Sequence, residues 1–338
     1  MRRGPILALL GIGTVAGAAA TAVALFLPWL PPVASVERGR IDVVFWFTIA
    51  ICILIFAIVV AVLGYAIFRF RAAPDDDSDG PPIHGHTMLE IVWTLIPTVL
   101  VTSIGILSAI VLARDDALGK NVLEVNVTAQ QFAWSFEYPN DGKVTTGTLR
   151  LPVNRSVLLH FESKDVIHSF WVPEFGQKQD TVPGLDTKLH ITPNKIGSYP
   201  VICTELCGLG HAVMRTEAIV MSQAAFDKWL KSQTKATGSP NPSVSGAAVF
   251  KNNQCGSCHT LKAAGATATV GPDLDKLPQY AQTAGKPLES FIRESVSNPK
   301  AYIEKGYPKN VMPQTFGQLP KGQLDALVQY LIQSTKKG

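Results

Sequence analysis

Charge is what this 338-residue chain has least of: 17% of its residues are Asp, Glu, Lys or Arg, against about 25% in an ordinary soluble protein. Its 30 basic and 26 acidic residues leave a formal net charge of +4. No basic run with interleaved aromatics is present, so nucleic acid is excluded as a partner. Cysteine is scarce too. There are five, and four fall in two tight pairs, Cys203 with Cys207 and Cys255 with Cys258. Pairs at such spacing read as cofactor ligands rather than a disulfide framework. Cys52 lies alone in an apolar run and reads as a packed membrane residue. No internal repeat is visible.

The missing charge is replaced by apolar residues, 47% of the chain. Residues 1–35 carry Arg2 and Arg3 ahead of an Ala- and Gly-rich apolar stretch, readable either as a signal peptide ending near Ala34-Ser35 or as a first membrane span. A run from Ile41 to Phe68 exceeds the roughly 20 apolar residues that cross a bilayer. Arg69 and Arg71 put its end in the cytoplasm, and a further run from Ile91 to Leu112 returns the chain to the outside. Residues 41–115 are therefore expected to form a transmembrane α-helical hairpin, with everything after Asp115 extracytoplasmic.

From 120 to 232 short alternating runs are punctuated by Gly, Pro and Asn, which predicts an all-β sandwich or barrel ending in a short helix over 223–231. The expected strands cover 122–127, 132–138, 145–151, 156–161, 188–192 and 216–221. Residues 234–245 have two prolines and no periodicity and read as a linker. Residues 246–338 read as helical, over 247–251, 287–295 and 323–333.

Within the β region, Cys203, Cys207, His211 and Met214 fall in twelve residues, with Gly208 and Gly210 allowing a tight loop. Thiolate and thioether are soft donors that favour copper or zinc, and with imidazole they suit copper electron transfer, a zinc loop being the plain alternative. Two cysteines able to bridge point to a pair of coppers, and such a site needs a second imidazole. Of His160, His168 and His190, only His168 lies in a hydrophobic setting (VIHSFWVP) that would hold a ligand dry. His160 and His190 sit in alternating patterns and read as surface or β-face residues.

In the last region Cys255-Gly256-Ser257-Cys258-His259 is the C-x-x-C-H pattern for covalent attachment of c-type haem. The other axial ligand follows by elimination, since from 246 to 338 the only His is His259 and the only Met is Met312. Met/His ligation raises a haem's potential. The segment is similar to a class I cytochrome c, including Gly271-Pro272-Asp273-Leu274.

Taken together these residues resemble subunit II of haem-copper cytochrome c oxidases, here with a fused C-terminal c-type cytochrome domain. The resemblance implies three folded parts: the membrane hairpin, an all-β cupredoxin-like barrel and an all-α class I cytochrome c domain. It implies that His168, Cys203, Glu205 through its carbonyl, Cys207, His211 and Met214 hold a binuclear copper centre, CuA. The Glu205 side chain would reach a magnesium ion shared with subunit I. Asp180-Thr181-Val182-Pro183-Gly184 resembles the family as well.

The stretch Gln131 to Phe136 resembles the aromatic-rich region through which electrons reach the family's copper, but Phe132 and Ala133 stand where Trp and Tyr are usual. Trp134 is an electron-path candidate, its plain alternative being a β-core aromatic. Glu90 is expected to close a capping box with Thr87, and by resemblance lies at the mouth of a proton channel into subunit I. His84 and His86 read as solvated loop residues.

The expectation is thus a multi-pass subunit of a prokaryotic plasma-membrane cytochrome c oxidase. It takes electrons from a cytochrome c or other donor, through haem c and CuA, to subunit I, in contact with membrane lipid. No residue of this chain is a candidate for the oxygen chemistry. The alternatives are the CuA-bearing subunit of a nitric oxide reductase, and a copper-carrier protein. A nitrous oxide reductase would need a large propeller with many more histidines than the seven present.

Overall fold

The computed structural model describes residues 3–71, 80, 82, 84–237, 245–309, 311, 312 and 314–335, and divides into two units. In the first, three helices are long and apolar enough to cross a membrane: α1 (Arg3–Phe26), α2 (Val36–Arg69) and α3 (Thr87–Asp115). The N-terminal stretch is thus a full span in length. Gly13 and Gly17 of α1 face Ala57 and Ala61 of α2, small residues that let two backbones approach in lipid. Arg40 near the start of α2 pairs with Asp115 at the end of α3 at 2.9 Å, and also donates to the Arg114 carbonyl. This ties the two ends of the hairpin.

Where α3 begins, the cap differs from expectation. His86, not Thr87, is the capping residue: its Nδ1 accepts from the Leu89 N–H at 3.2 Å, while the Glu90 carboxylate accepts from the His86 N–H at 3.3 Å. His86 is thus more than a solvated loop residue. The swap follows from the helix starting at Thr87, which makes Thr87 the first helical residue and leaves the half-in position to His86.

The second unit holds residues 33–38 and everything from 116 onward. Its β part is a sandwich of two five-stranded sheets. One sheet runs β3 (Val144–Thr146), β2 (Ala133–Tyr138), β1 (Leu123–Gln130), β5 (Val157–Ser163), β8 (Thr187–Ile191). The other runs β4 (Leu149–Pro152), β10 (Arg215–Met221), β9 (Gly197–Cys203), β6 (His168–Trp171), β7 (Lys178–Thr181). Strands β1 and β10 alternate buried and exposed residues, so each sheet keeps one face inward. Between the sheets Phe136 and Phe161 pack around Phe170 at centroid distances of 6.4 and 5.3 Å. Trp134 meets Phe170 edge-on at 5.6 Å, a geometry favoured by the ring quadrupoles.

The expected strand 145–151 is in fact two, β3 and β4, lying in different sheets, because the chain crosses the sandwich at Gly147 and Thr148. Strands β6 and β7, four residues each, were not expected, nor was β9, whose Pro200 argues against a strand. The small-residue pair Ala34-Ser35 is fully buried on the β unit. Ala34 N–H donates to the Glu174 carbonyl, Ser35 bridges to Pro193, and Thr192 N–H donates to the Glu37 carboxylate.

Helix α4 (Gln223–Thr237) runs past the expected start of the linker; residues 238–244 lie outside the described ones. Beyond them α5 (Gly246–Asn252), α6 (Leu277–Thr283), α7 (Leu288–Ser297) and α8 (Lys321–Thr335) enclose a separate core of Phe250, Phe291, Ile292, Leu327, Val328 and Leu331. The Ser245 side chain caps α5, and α6 was not expected. A small ribbon, β11 (Thr260–Leu261) with β12 (Ala266–Thr267), follows the C-x-x-C-H motif.

Candidate copper centre and haem pocket

The end of the sandwich where β9 stops and β10 starts gathers the thiols. Cys203 ends β9, Arg215 opens β10 opposite Ile202, and the Cys203 N–H donates to the Met214 carbonyl at 3.2 Å, closing the loop between them. The neighbouring strand β6 sets Phe170 opposite Cys203, which brings its first residue, His168, to the same end. His168 Nδ1 lies 3.9 Å from Cys203 Sγ, and the two sulfurs are 3.9 Å apart. From Cys207 Sγ it is 3.6 Å to His211 Nδ1 and 3.7 Å to Met214 Sδ. The Glu205 carbonyl lies 3.3 Å from Cys203 Sγ, while its side chain is exposed.

Six donors from five side chains and one carbonyl therefore share one small volume, and His168, Cys203 and Cys207 form a buried group of metal-ligating size. The donor set fits copper: two sulfurs able to bridge, one imidazole beside each, and one further weak donor beside each. Burial alone would push the Cys203 thiol up, but its bonds with His168, Ser169, Glu205 and His211 hold it down, to about 6. Burial and the charge of Cys203 push the Cys207 thiol up to about 12. The pair thus sheds its protons in two separated steps unless a cation neutralises the second thiolate. Burial lowers the His168 pKa, yet its bonds to Cys203 and Asp165 raise it overall.

The loop can lie this close because of its glycines. A Cβ at Gly210 would run into the ring of Phe132, itself nearly buried, and one at Gly208 would sit 2.8 Å from the Gln131 amide. Phe132 thus covers the copper loop. Trp134 is 4% exposed and stands edge-on to His168 with ring centroids 6.1 Å apart. It is both a core aromatic and a neighbour of a candidate ligand. His190 is buried against Ser156 at 2.7 Å, and His160 is half-buried; neither joins the cluster. Asp165, unnoticed in the sequence, and Gln131, named there only as the start of the aromatic stretch, both touch the site: Asp165 Oδ1 lies 2.8 Å from His168 Nε2, and the Gln131 side-chain amide donates to the Cys207 carbonyl.

In the helical part a cavity of about 970 Å³ is bordered by Cys255, Cys258, His259 and Met312, with apolar walls from Phe250, Leu277, Phe291, Leu327 and Leu331. His259 Nδ1 bonds to the Pro272 carbonyl at 2.7 Å, which leaves Nε2 free as a ligand atom. A Cβ at Gly271 would lie 2.5 Å from the His259 ring, so glycine there is required for the imidazole to seat. Burial pushes the Cys255 thiol up to about 12 and lowers the His259 pKa, so both are neutral near pH 7. An apolar cleft with two unpaired thiols, one oriented imidazole and one thioether fits a covalent haem. The cavity reaches the sandwich at Thr128 and Trp134.

Fold and donors together define a membrane-anchored electron-transfer protein with one thiolate-copper domain and one haem domain. Residues 21–111 match the family described as cytochrome c oxidase subunit II, transmembrane domain, residues 145–223 its periplasmic domain, and residues 243–335 cytochrome c. Cytochrome c oxidase subunit 2 of Alkalihalophilus pseudofirmus is 30% identical over 84% of this chain and 84% of its own. That of Synechocystis is 32% identical over 78% of this chain and 88% of its own. Among solved structures, the periplasmic domain of subunit II of cytochrome oxidase (CoxB) of Bradyrhizobium japonicum is 29% identical, with a TM-score of 0.34, over 36% of this chain and 99% of that one.

The chain belongs to the cytochrome c oxidase subunit II family. It is an electron-transfer subunit of a membrane-bound haem-copper oxidase, with a CuA-type domain and a fused cytochrome c domain, and works with other oxidase subunits.

Proposed function

We propose that residues 120–232 hold a binuclear copper centre through His168, Cys203, Glu205, Cys207, His211 and Met214, and that residues 246–338 hold haem c through Cys255, Cys258, His259 and Met312. The convergence of all six copper-type donors on one end of the sandwich is the observation that carries this reading. When bound, the two groups supply one-electron carriers at the two ends of an internal relay. The chain's own part is to hold each donor set rigid and dry, which limits the reorganisation that accompanies a change of charge.

Electrons from an external donor are accepted in the C-terminal domain and handed to the sandwich. Trp134, in edge contact with His168 and bordering the haem cavity, is the candidate path between them. The donor is a cytochrome c or another periplasmic carrier, and Phe132 in place of Trp accords with delivery from the chain's own haem domain rather than by a soluble one. The exposed Glu205 carboxylate is the candidate for a magnesium ion shared with subunit I. Among the described residues no metal-ligating group includes it, so the remaining ligands would come from that subunit. Glu90 is the candidate mouth of a proton channel. Residues 69 and 71 are read as cytoplasmic, and residues 116 onward as outside a prokaryotic plasma membrane, with α1 to α3 in contact with lipid.

The test is to purify the complex and measure oxygen uptake against nitric oxide consumption with one reduced donor. Oxygen uptake coupled to donor oxidation is expected. Nitric oxide consumption without oxygen uptake would favour the reductase instead.

A further inference from the structure

The turn between β1 and β2 and the turn between β5 and β6 lie side by side, since the parallel pairing of β1 with β5 ends at Ala129 opposite Ser163. The Lys164 N–H donates to the Ala129 carbonyl at 3.0 Å and extends that junction. Two side chains cross from it to the copper loop. Asp165 uses both its oxygens: Oδ1 accepts from His168 Nε2 at 2.8 Å and from the Val166 N–H at 2.7 Å, and Oδ2 accepts from the Gln131 main-chain N–H at 2.7 Å. Gln131 uses both its donors, the main-chain N–H for Asp165 and the side-chain amide for the Cys207 carbonyl.

His168, on β6, and Cys207, in the loop after β9, are thus bonded to the same pair of residues, neither of which is a ligand. We propose that Gln131 and Asp165 form a positioning clamp that sets the two candidate copper ligands from different elements at their working separation. This rests on the copper reading above. An imidazole offers a metal either of two nitrogens, and the choice is made by the bond the other one makes. Asp165 accepts the hydrogen bond from the Nε2–H and so turns Nδ1 toward Cys203. Gln131 does the corresponding work on the loop, where Gly208 and Gly210 leave the backbone with little stiffness of its own. Its amide anchors the carbonyl of the residue whose sulfur is shared.

The two halves of the clamp can be cut separately. Asp165→Asn keeps the shape but presents an amide that cannot accept from both His168 and Gln131. Gln131→Ala removes only the tie to Cys207, because the bond to Asp165 comes from the main chain. The full-length chain is purified with copper, and copper loss to excess chelator is followed by the near-infrared band, with electron paramagnetic resonance of the loaded site. Amide exchange of the metal-free protein is measured alongside.

Each variant is expected to lose copper about ten- to a hundredfold faster than the parent, the usual cost of removing an outer partner of a ligand. Each should also alter the copper hyperfine pattern, and Asp165→Asn should raise exchange at the Gln131 amide. Should Asp165→Asn not accumulate folded, Gln131→Ala alone decides. Unchanged spectra and unchanged copper loss overturn the clamp, even if the unfolding temperature falls. Wild-type protein binding fewer than two coppers per chain would instead refute the copper reading itself.

Discussion

At the residue scale the candidate copper and haem donors are separable by what each contributes. Cys203→Ser replaces a candidate copper-bridging sulfur by a hydroxyl, a poor soft-metal ligand, so the near-infrared copper band should vanish and copper content fall; a retained band would contradict the assignment. Met312→Ala should lower the haem midpoint by about 0.1 V or more, within the roughly 0.8 V range that axial ligation spans. Spectroelectrochemical titration checks it. Gly210→Ala presses a methyl group into the Phe132 ring and should cost about 1–3 kcal/mol of stability, read from denaturant unfolding of the copper-free chain.

These residues differ in how legible they were. Cys203, Cys207, His211 and Met214 announce themselves by spacing, because one loop carries them all. His168 needed only a hydrophobic neighbourhood to be singled out. Asp165 and Gln131 could not be read that way, since their roles depend on two turns meeting that are 34 residues apart in sequence. An Asp three residues before a ligand reaches it here because the chain turns between them; in an extended strand the two would point to opposite faces.

At the element scale, hydropathy exposed the membrane helices and periodicity exposed the long terminal helix α8. Strand boundaries were harder. The run 145–151 looks continuous, yet it leaves one sheet and enters the other at Gly147 and Thr148. Strand β6 is buried on consecutive residues and so lacks the alternation that reveals β1, while β9 alternates but carries Pro200, which argues against a strand in the sequence.

The start of α3 carries a prediction of its own. Glu90→Gln keeps an oxygen that can accept from the His86 N–H, so the helix cap survives while the ionisable group is lost. Turnover of the complex should slow with copper spectra and helix content unchanged. Full turnover in Glu90→Gln would reduce Glu90 to a capping residue.

At the scale of the whole molecule, charge says little and covalent connection says more. The haem region, 245–338, carries a net +5 and the copper region, 121–232, a net −1, too modest a contrast for strong steering. The covalent connection between the two regions instead supplies an effective concentration near the millimolar range. Transfer within the chain should therefore be nearly independent of ionic strength, whereas delivery by an outside carrier should slow as salt rises.

The most direct test mixes reduced donor rapidly with the fully oxidised complex in the absence of oxygen, following the haem c absorption and the near-infrared copper band together. The relay predicts that haem c is reduced first and that the copper band bleaches as haem c is reoxidised, at a rate insensitive to salt. Bleaching of the copper band before any haem c reduction would contradict it.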